Sequence, residues 1–174
     1  MKSKDFDGMN CSIASVMGAL GDRWGMILMR DILLGLKRYD QLKNATDITH
    51  ATLSDRLKNL EKNGLILRQA YQLRPERYEY VPTAKGQDIG LVLLAMLQVG
   101  DKWKSERGEA PPVNFLNQVT GHKIRLQAVD SQSQEKVDYA QIEAVAGDGA
   151  DESVFWRLEQ AKLYQETEVI DDKS

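Results

Sequence analysis

The stretch that most restricts this chain is residues 84–107, a helical pattern that is apolar on both sides. Ile89, Val92, Leu93, Met96, Leu97, Gly100 and Trp103 recur along one face at helical spacing. Leu91, Leu94, Ala95 and Val99 make the other side apolar as well. A helix apolar all round needs burial on both sides. The longest apolar run, residues 89–99, is broken by Gly90 and Gln98 and falls short of the roughly 20 residues that span a bilayer. Membrane is therefore not the expected partner. One side suits the chain's own core. Too few other elements surround the helix to cover the second side, which points to another subunit.

Turn signals divide the rest. Residues 9–20 read as a short helix closed by Gly21, and Asp22 is placed to cap a second helix through Trp24, Ile27, Leu28 and Ile32, ended by Gly35. Residues 39–45 make a third helix, barely two turns long, with Leu42 inward. After the turn Thr46-Asp47-Ile48, Thr49 caps a fourth helix that runs to Asn63 and stops at Gly64. Strand-like stretches 65–73 and 77–81 flank the compact turn Arg74-Pro75-Glu76. After the first helix, the order helix–helix–helix–hairpin–helix is that of a winged helix-turn-helix.

The helical pattern ends at Gly108-Glu109-Ala110-Pro111-Pro112, which separates residues 1–108 from an extension, 109–174. In the extension, Phe115-Leu116 and residues 124–129 and 142–145 suggest short strands of a small β unit. Residues 152–166 read as a weak helix, followed by an acidic tail. The expected fold class is α+β and mostly helical: a winged helix-turn-helix with a long dimerising C-terminal helix, then a small β-rich extension.

A net charge of −3 counts against a nucleic-acid partner until its distribution is considered. Residues 35–85 carry ten Lys/Arg against six Asp/Glu, while residues 86–174 carry nine against sixteen. A basic centre in an acidic chain suits a confined phosphate-binding surface. The single cysteine, Cys11, allows no internal disulfide and fits a reducing compartment. Met1-Lys2-Ser3-Lys4-Asp5-Phe6-Asp7 lacks the apolar stretch of a signal peptide, so the expected location is the cytoplasm. No dinucleotide fingerprint, P-loop or HExxH motif occurs, and His50 and His122 have no acid or nucleophile at a productive spacing. Asp171-Asp172 falls in the tail. Neither an enzyme nor a cofactor is expected.

In the fourth helix, Leu53, Leu57 and Leu60 share one stripe. The opposite face carries Ala51, Thr52, Asp55, Lys58 and Asn59, short or polar side chains gathered mostly at the helix start. A recognition helix needs this, because its N-terminal end enters the major groove, where bulk is excluded and base edges offer donors and acceptors. His50 and Arg56 flank that face within reach of phosphates. An amphipathic helix is common in itself. The selective feature is the order: short helix, tight turn, amphipathic helix, basic hairpin. Lys37 and Arg38 precede the third helix, where a helix N-terminus meets phosphate. Arg74 and Arg77 lie near the wing tip, suited to backbone or minor-groove contact. Lys85 fits either a phosphate ligand or a solvated first-turn residue. The competing class is a winged helix that binds protein, and salt separates the two, since phosphate-driven binding weakens steeply with it.

These residues resemble the HxlR family of bacterial regulators. The resemblance rests on Cys11-Ser12-Ile13, Gly21-Asp22-Arg23-Trp24, residues 28–33 and 37–42, and the run 53–66. Glu79-Tyr80 and Thr83-Ala84-Lys85-Gly86 complete it. It implies a homodimer built from the first and last helices of the domain, bound to an inverted or imperfect repeat of double-stranded DNA. It also implies that Thr49, His50, Thr52, Asp55 and Arg56 lie at or beside the DNA. Ser54 and Arg56 match the family pattern, as base readers or as residues holding the helix.

The resemblance further implies a redox or electrophile sensor at Cys11, and a helix N-terminus does favour thiolate. A packed small side chain is the other reading, and Ser12 stands where the family usually has proline. A small-molecule effector stays open. The extension resembles a zinc-ribbon-like module through Pro111-Pro112-Val113 and Gly121-His122, but Ser131-Gln132-Ser133-Gln134 stands where a cysteine pair is expected. His122 alone cannot close a structural zinc site, so no metal is expected.

Overall fold

The computed structural model describes Phe6 and residues 8–171, with side chains described through Leu163. The charged start of the chain, Phe6 apart, and the end of the acidic tail from Asp172 lie outside the described residues. Helices α1 (Ser12–Leu20), α2 (Arg23–Leu33), α3 (Tyr39–Thr46) and α4 (His50–Lys62) come first. An antiparallel hairpin of β1 (Ile66–Leu73) and β2 (Glu76–Pro82) follows, then α5 (Ala84–Glu106), a 3-10 turn at Tyr139–Gln141, and α6 (Glu152–Asp171). The chain forms two compact units, Ser15–Leu126 on one hand and Met1–Ala14 with Gln127–Ser174 on the other. Among the described residues no helix is long and apolar enough to cross a membrane.

The core of the unit Ser15–Leu126 gathers Leu28, Met29 and Ile32 of α2, Leu42 of α3, and Leu53, Leu57 and Leu60 of α4. Leu65 and Ile66 at the wing root and Ile89 of α5 close it. Burial of each such side chain stabilises by roughly 1.5–3 kcal/mol. Three caps set where helices begin. Asp22 Oδ1 accepts from the Trp24 and Gly25 N–H groups at 2.9 and 3.1 Å, Thr49 Oγ1 from Thr52 N–H at 3.2 Å, and Thr83 Oγ1 from Gly86 N–H at 3.0 Å. Each satisfies a donor that a helix start leaves open. Close approach dictates two glycines: a Cβ on Gly25 would lie 1.8 Å from the Leu20 carbonyl oxygen, and one on Gly86 1.9 Å from that of Leu65. The first helix starts at Ser12 rather than at residue 9.

The strands expected in the extension reduce to isolated bridges, Leu116↔Lys123 and Val129↔Lys136, with none at residues 142–145. Each bridge closes around a turn of the same design. Asn117 Oδ1 accepts from the N–H groups of Val119 and Thr120 at 2.8 and 3.2 Å. Asp130 Oδ1 accepts from those of Gln132 and Ser133 at 2.8 and 2.9 Å. Each turn ends on a left-handed residue, Gly121 (φ 70°) or Gln134 (φ 60°). The N–H of that residue returns to the Asn117 or Asp130 carbonyl. The N–H groups inside each turn are thus satisfied locally, while Ile124 N–H donates to the Phe115 carbonyl and Val137 N–H to the Ala128 carbonyl outside it.

Candidate nucleic-acid interface

The turn between α3 and α4 is tight because Asp47 takes a left-handed conformation (φ 53°) and its N–H bonds to the Lys43 carbonyl at 2.9 Å. Ile48 tucks into the core and Thr49 starts α4. The three α4 leucines are buried, so rotation about the helix axis is settled and the opposite face meets solvent. That face presents His50, Ala51, Asp55 and Lys58 as exposed side chains and Thr52, Ser54, Arg56 and Asn59 as half-buried ones. Thr49 and Thr52 hydroxyls pair at 2.9 Å at the helix start.

Two residues outside α4 lock it, and the sequence pattern assigned neither of them that role. Tyr39, the first residue of α3, places its hydroxyl 3.1 Å from His50 Nδ1, 3.1 Å from Ser54 Oγ and 3.2 Å from the His50 carbonyl oxygen. Its ring stacks on the imidazole at 5.8 Å, within 5° of parallel. Asp22 joins α4 to α2: one carboxylate oxygen caps α2 while the other accepts from Arg56 Nε at 2.7 Å. The Arg56 guanidinium also pairs with Asp55. Ser54, His50 and Arg56 are thus engaged by the fold, whereas Ala51, Thr52 and Lys58 make no such long-range contact among the described ones.

The hairpin and the start of α3 form a basic arm. The Tyr80 N–H donates to the Lys37 carbonyl at 2.7 Å, and Arg38 bridges to Glu79, so residues 37–38 lie along the outer edge of β2. Gln41 Oε1 accepts from the N–H groups of Lys37 and Arg38 at 3.1 and 3.0 Å. The ladder is interrupted between Ala70 and Gln72, where Tyr71 bulges. The Arg38 guanidinium lies 4.7 Å from the Tyr71 ring centre, and that of Arg68 lies 4.1 Å from Tyr78. Such stacking stiffens both partners. Arg74 and Arg77 are exposed at the tip. Glu76 accepts the Tyr78 hydroxyl and holds that phenol above its usual pKa. Lys85 is exposed in the first turn of α5, and its Nζ donates to the Asn63 carbonyl at 2.9 Å, closing the end of α4.

Cys11, in the other compact unit, is half-buried just before α1. Its thiol is held below its usual pKa by the backbone N–H groups of Ala14 and Ile13 and by the Arg157 guanidinium. Among the described residues, no group of three or more His, Cys, Asp or Glu is placed to hold a metal ion.

Comparison with known proteins gives three kinds of likeness. The model of the HxlR-like helix-turn-helix family matches residues 19–108. An uncharacterized HTH-type transcriptional regulator of Mycobacterium tuberculosis is 28% identical over 138 residues, 79% of this chain and 87% of that protein. Another, from Synechocystis, is 37% identical over 97 residues, 55% of this chain and 72% of that one. Among solved structures, a candidate transcription factor of Pseudomonas aeruginosa is 35% identical, covers 84% of this chain and 99% of its own, and superposes with a TM-score of 0.59.

Proposed function

The chain belongs to the HxlR-like helix-turn-helix family, and from that premise we propose that it is a transcription regulator that binds double-stranded DNA as a homodimer. The observation that carries this reading is α4 itself. Its exposed N-terminal half is clamped by Tyr39 and Asp22 in the same unit as a basic wing. In this reading Thr49, Ala51, Thr52, Asp55 and Lys58 face base edges in the major groove. Lys37, Arg38, Arg74 and Arg77 meet phosphates. His50, Ser54 and Arg56 belong to the DNA-binding surface mainly by fixing the helix that others read with.

Residues 1–108 act as the DNA-binding and dimerising domain, working in the cytoplasm on an inverted or imperfect repeat. Exposed Ile13 and Met17 on α1 and Leu91, Met96, Val99 and Trp103 on α5 supply the apolar surface a subunit interface needs. A groove of about 540 Å³ between α2 and α5, lined by Met26, Ile27, Leu33, Leu93 and Leu97, is where an apolar effector would fit. A redox response would run through Cys11. The extension, residues 109–174, is read as a zinc-ribbon-like module in which Asn117 and Asp130 oxygens collect the N–H groups of two turns without a metal.

The test is to incubate the purified chain with fragmented genomic DNA at low and high salt and sequence what is retained. A repeat with half-sites one or two helical turns apart, lost at high salt, is the expected outcome. A folded dimer that retains nothing at low salt would make the wing and α4 a protein-binding module instead.

A further inference from the structure

We propose that the wing tip carries an apolar wedge, Leu73, which enters the minor groove of bound duplex DNA and bends it. The proposal rests on the DNA-binding reading above and adds a deformation step to it. Leu73 is 80% exposed, more than any other large apolar side chain from α1 to α5. The remaining exposed apolar residues of α1 and α5 recur along helix faces, as an interface requires. Leu73 does not belong to such a stripe. It is the last residue of β1, with Gln72 and Arg74 beside it in sequence, Glu76 across the ladder and Arg77 opposite Gln72.

An exposed leucine with one arginine next to it in sequence and a second on the facing strand has the composition a minor-groove wedge needs. The cations neutralise phosphates on either side of the groove, and the apolar side chain replaces a stacking contact between base steps. Glu76, which would repel phosphate, is flanked in sequence by Arg77, whose charge offsets it. A wedge also needs a stiff arm, because a compliant hairpin would bend before the duplex did. The stacked pairs Arg38–Tyr71 and Arg68–Tyr78 and the backbone bond from Tyr80 to Lys37 brace this one from root to mid-length.

The experiment uses the full chain and a duplex that it retains from genomic fragments, carrying a fluorescent dye at each end. Energy transfer reports the bend, and titration at two salt concentrations reports affinity and salt dependence. Leu73→Ser is expected to weaken binding about tenfold and relax the duplex toward its free end-to-end distance. The salt dependence should not change, because leucine carries no charge. Leu73→Met should restore both affinity and bend, whereas Arg74→Gln should lower the salt slope by about one contact. Because Leu73 lies outside the core, its variants should melt like the parent. A Leu73→Ser chain that binds and bends as the parent does overturns the proposal. So does one whose sedimentation shows a changed subunit number, which would make Leu73 a subunit contact. A parent chain that retains no duplex at low salt overturns the DNA reading and the wedge with it, whereas a duplex bound straight overturns the wedge alone.

Discussion

In α4, Leu53, Leu57 and Leu60 are no more than 2% exposed, whereas no described residue after Ile89 is buried. The contacts that orient α4 come from far along the chain, 34 residues away at Asp22 and 11 at Tyr39. Those that shape the turns at Asn117 and Asp130 come from two or three residues away. One region is held by a shared core and a few clamps. The other is held residue by residue. A helix that must present a fixed face needs the first arrangement, since local hydrogen bonds fix a turn but not its bearing on distant groups.

The sharpest way to break this contrast is truncation. Leu57→Ala should cost about 2–5 kcal/mol in a denaturant melt, and Val129→Ala less than about 1 kcal/mol because little burial is lost. Equal losses would mean that the extension has a core of its own. Glycine substitution is the next test. Gly86→Ala should cost about 1–3 kcal/mol, since its Cβ collides with the Leu65 carbonyl. Gly147→Ala, where a Cβ meets open space, should be neutral or mildly stabilising in the same melt.

Tyr39→Phe keeps the ring stack and removes the hydroxyl shared by His50 and Ser54. A loss of about 1 kcal/mol in stability is expected, with a clear fall in affinity for a retained duplex. Unchanged affinity would remove Tyr39 from the clamp. The smallest effect is expected in the extension on acidification. Backbone N–H groups of Ser133 and Gln132 hold the Asp130 carboxyl below its usual pKa. A depressed folded-state value means that the turn's contribution is present above the unfolded carboxylate pKa and is lost as pH falls through the lowered one. Protection factors for amide exchange at Gln132 and Ser133, taken relative to the intrinsic rate at each pH, should therefore fall only at acid pH, while the α4 amides stay protected. The same logic predicts that Cys11 alkylates at a lower pH than a free thiol and that Arg157→Gln raises that pH.

Much of the helix-turn-helix was legible because its signals are local. Asp22 and Thr49 are good caps wherever they precede a helix, and the leucine spacing of α4 names its buried face without reference to a partner. The short apolar stretches of the extension misled, because they show which residues favour a strand and not whether a second strand is present to pair with. Asn117 and Asp130 order only the turns, and a single bridged pair flanks each. Lys85 was ambiguous for a related reason: its length reaches several acceptors, and the Asn63 carbonyl comes within range only once α5 starts beside the end of α4.

By itself, then, the sequence determined the order of helices and hairpin, the inward face of α4, and the concentration of positive charge in residues 35–85, since these follow from periodicity, capping chemistry and counting. Only the tertiary structure decided which polar side chains are left for a ligand. Arg56 and Ser54 look as free as Lys58 in the one-dimensional pattern. Folding brings Asp22 and Tyr39 against them, because packing the leucines of α4 onto α2 and α3 draws those two helix starts to its side. Which groups meet across a core depends on crossing geometry, and no pattern within a single helix contains it.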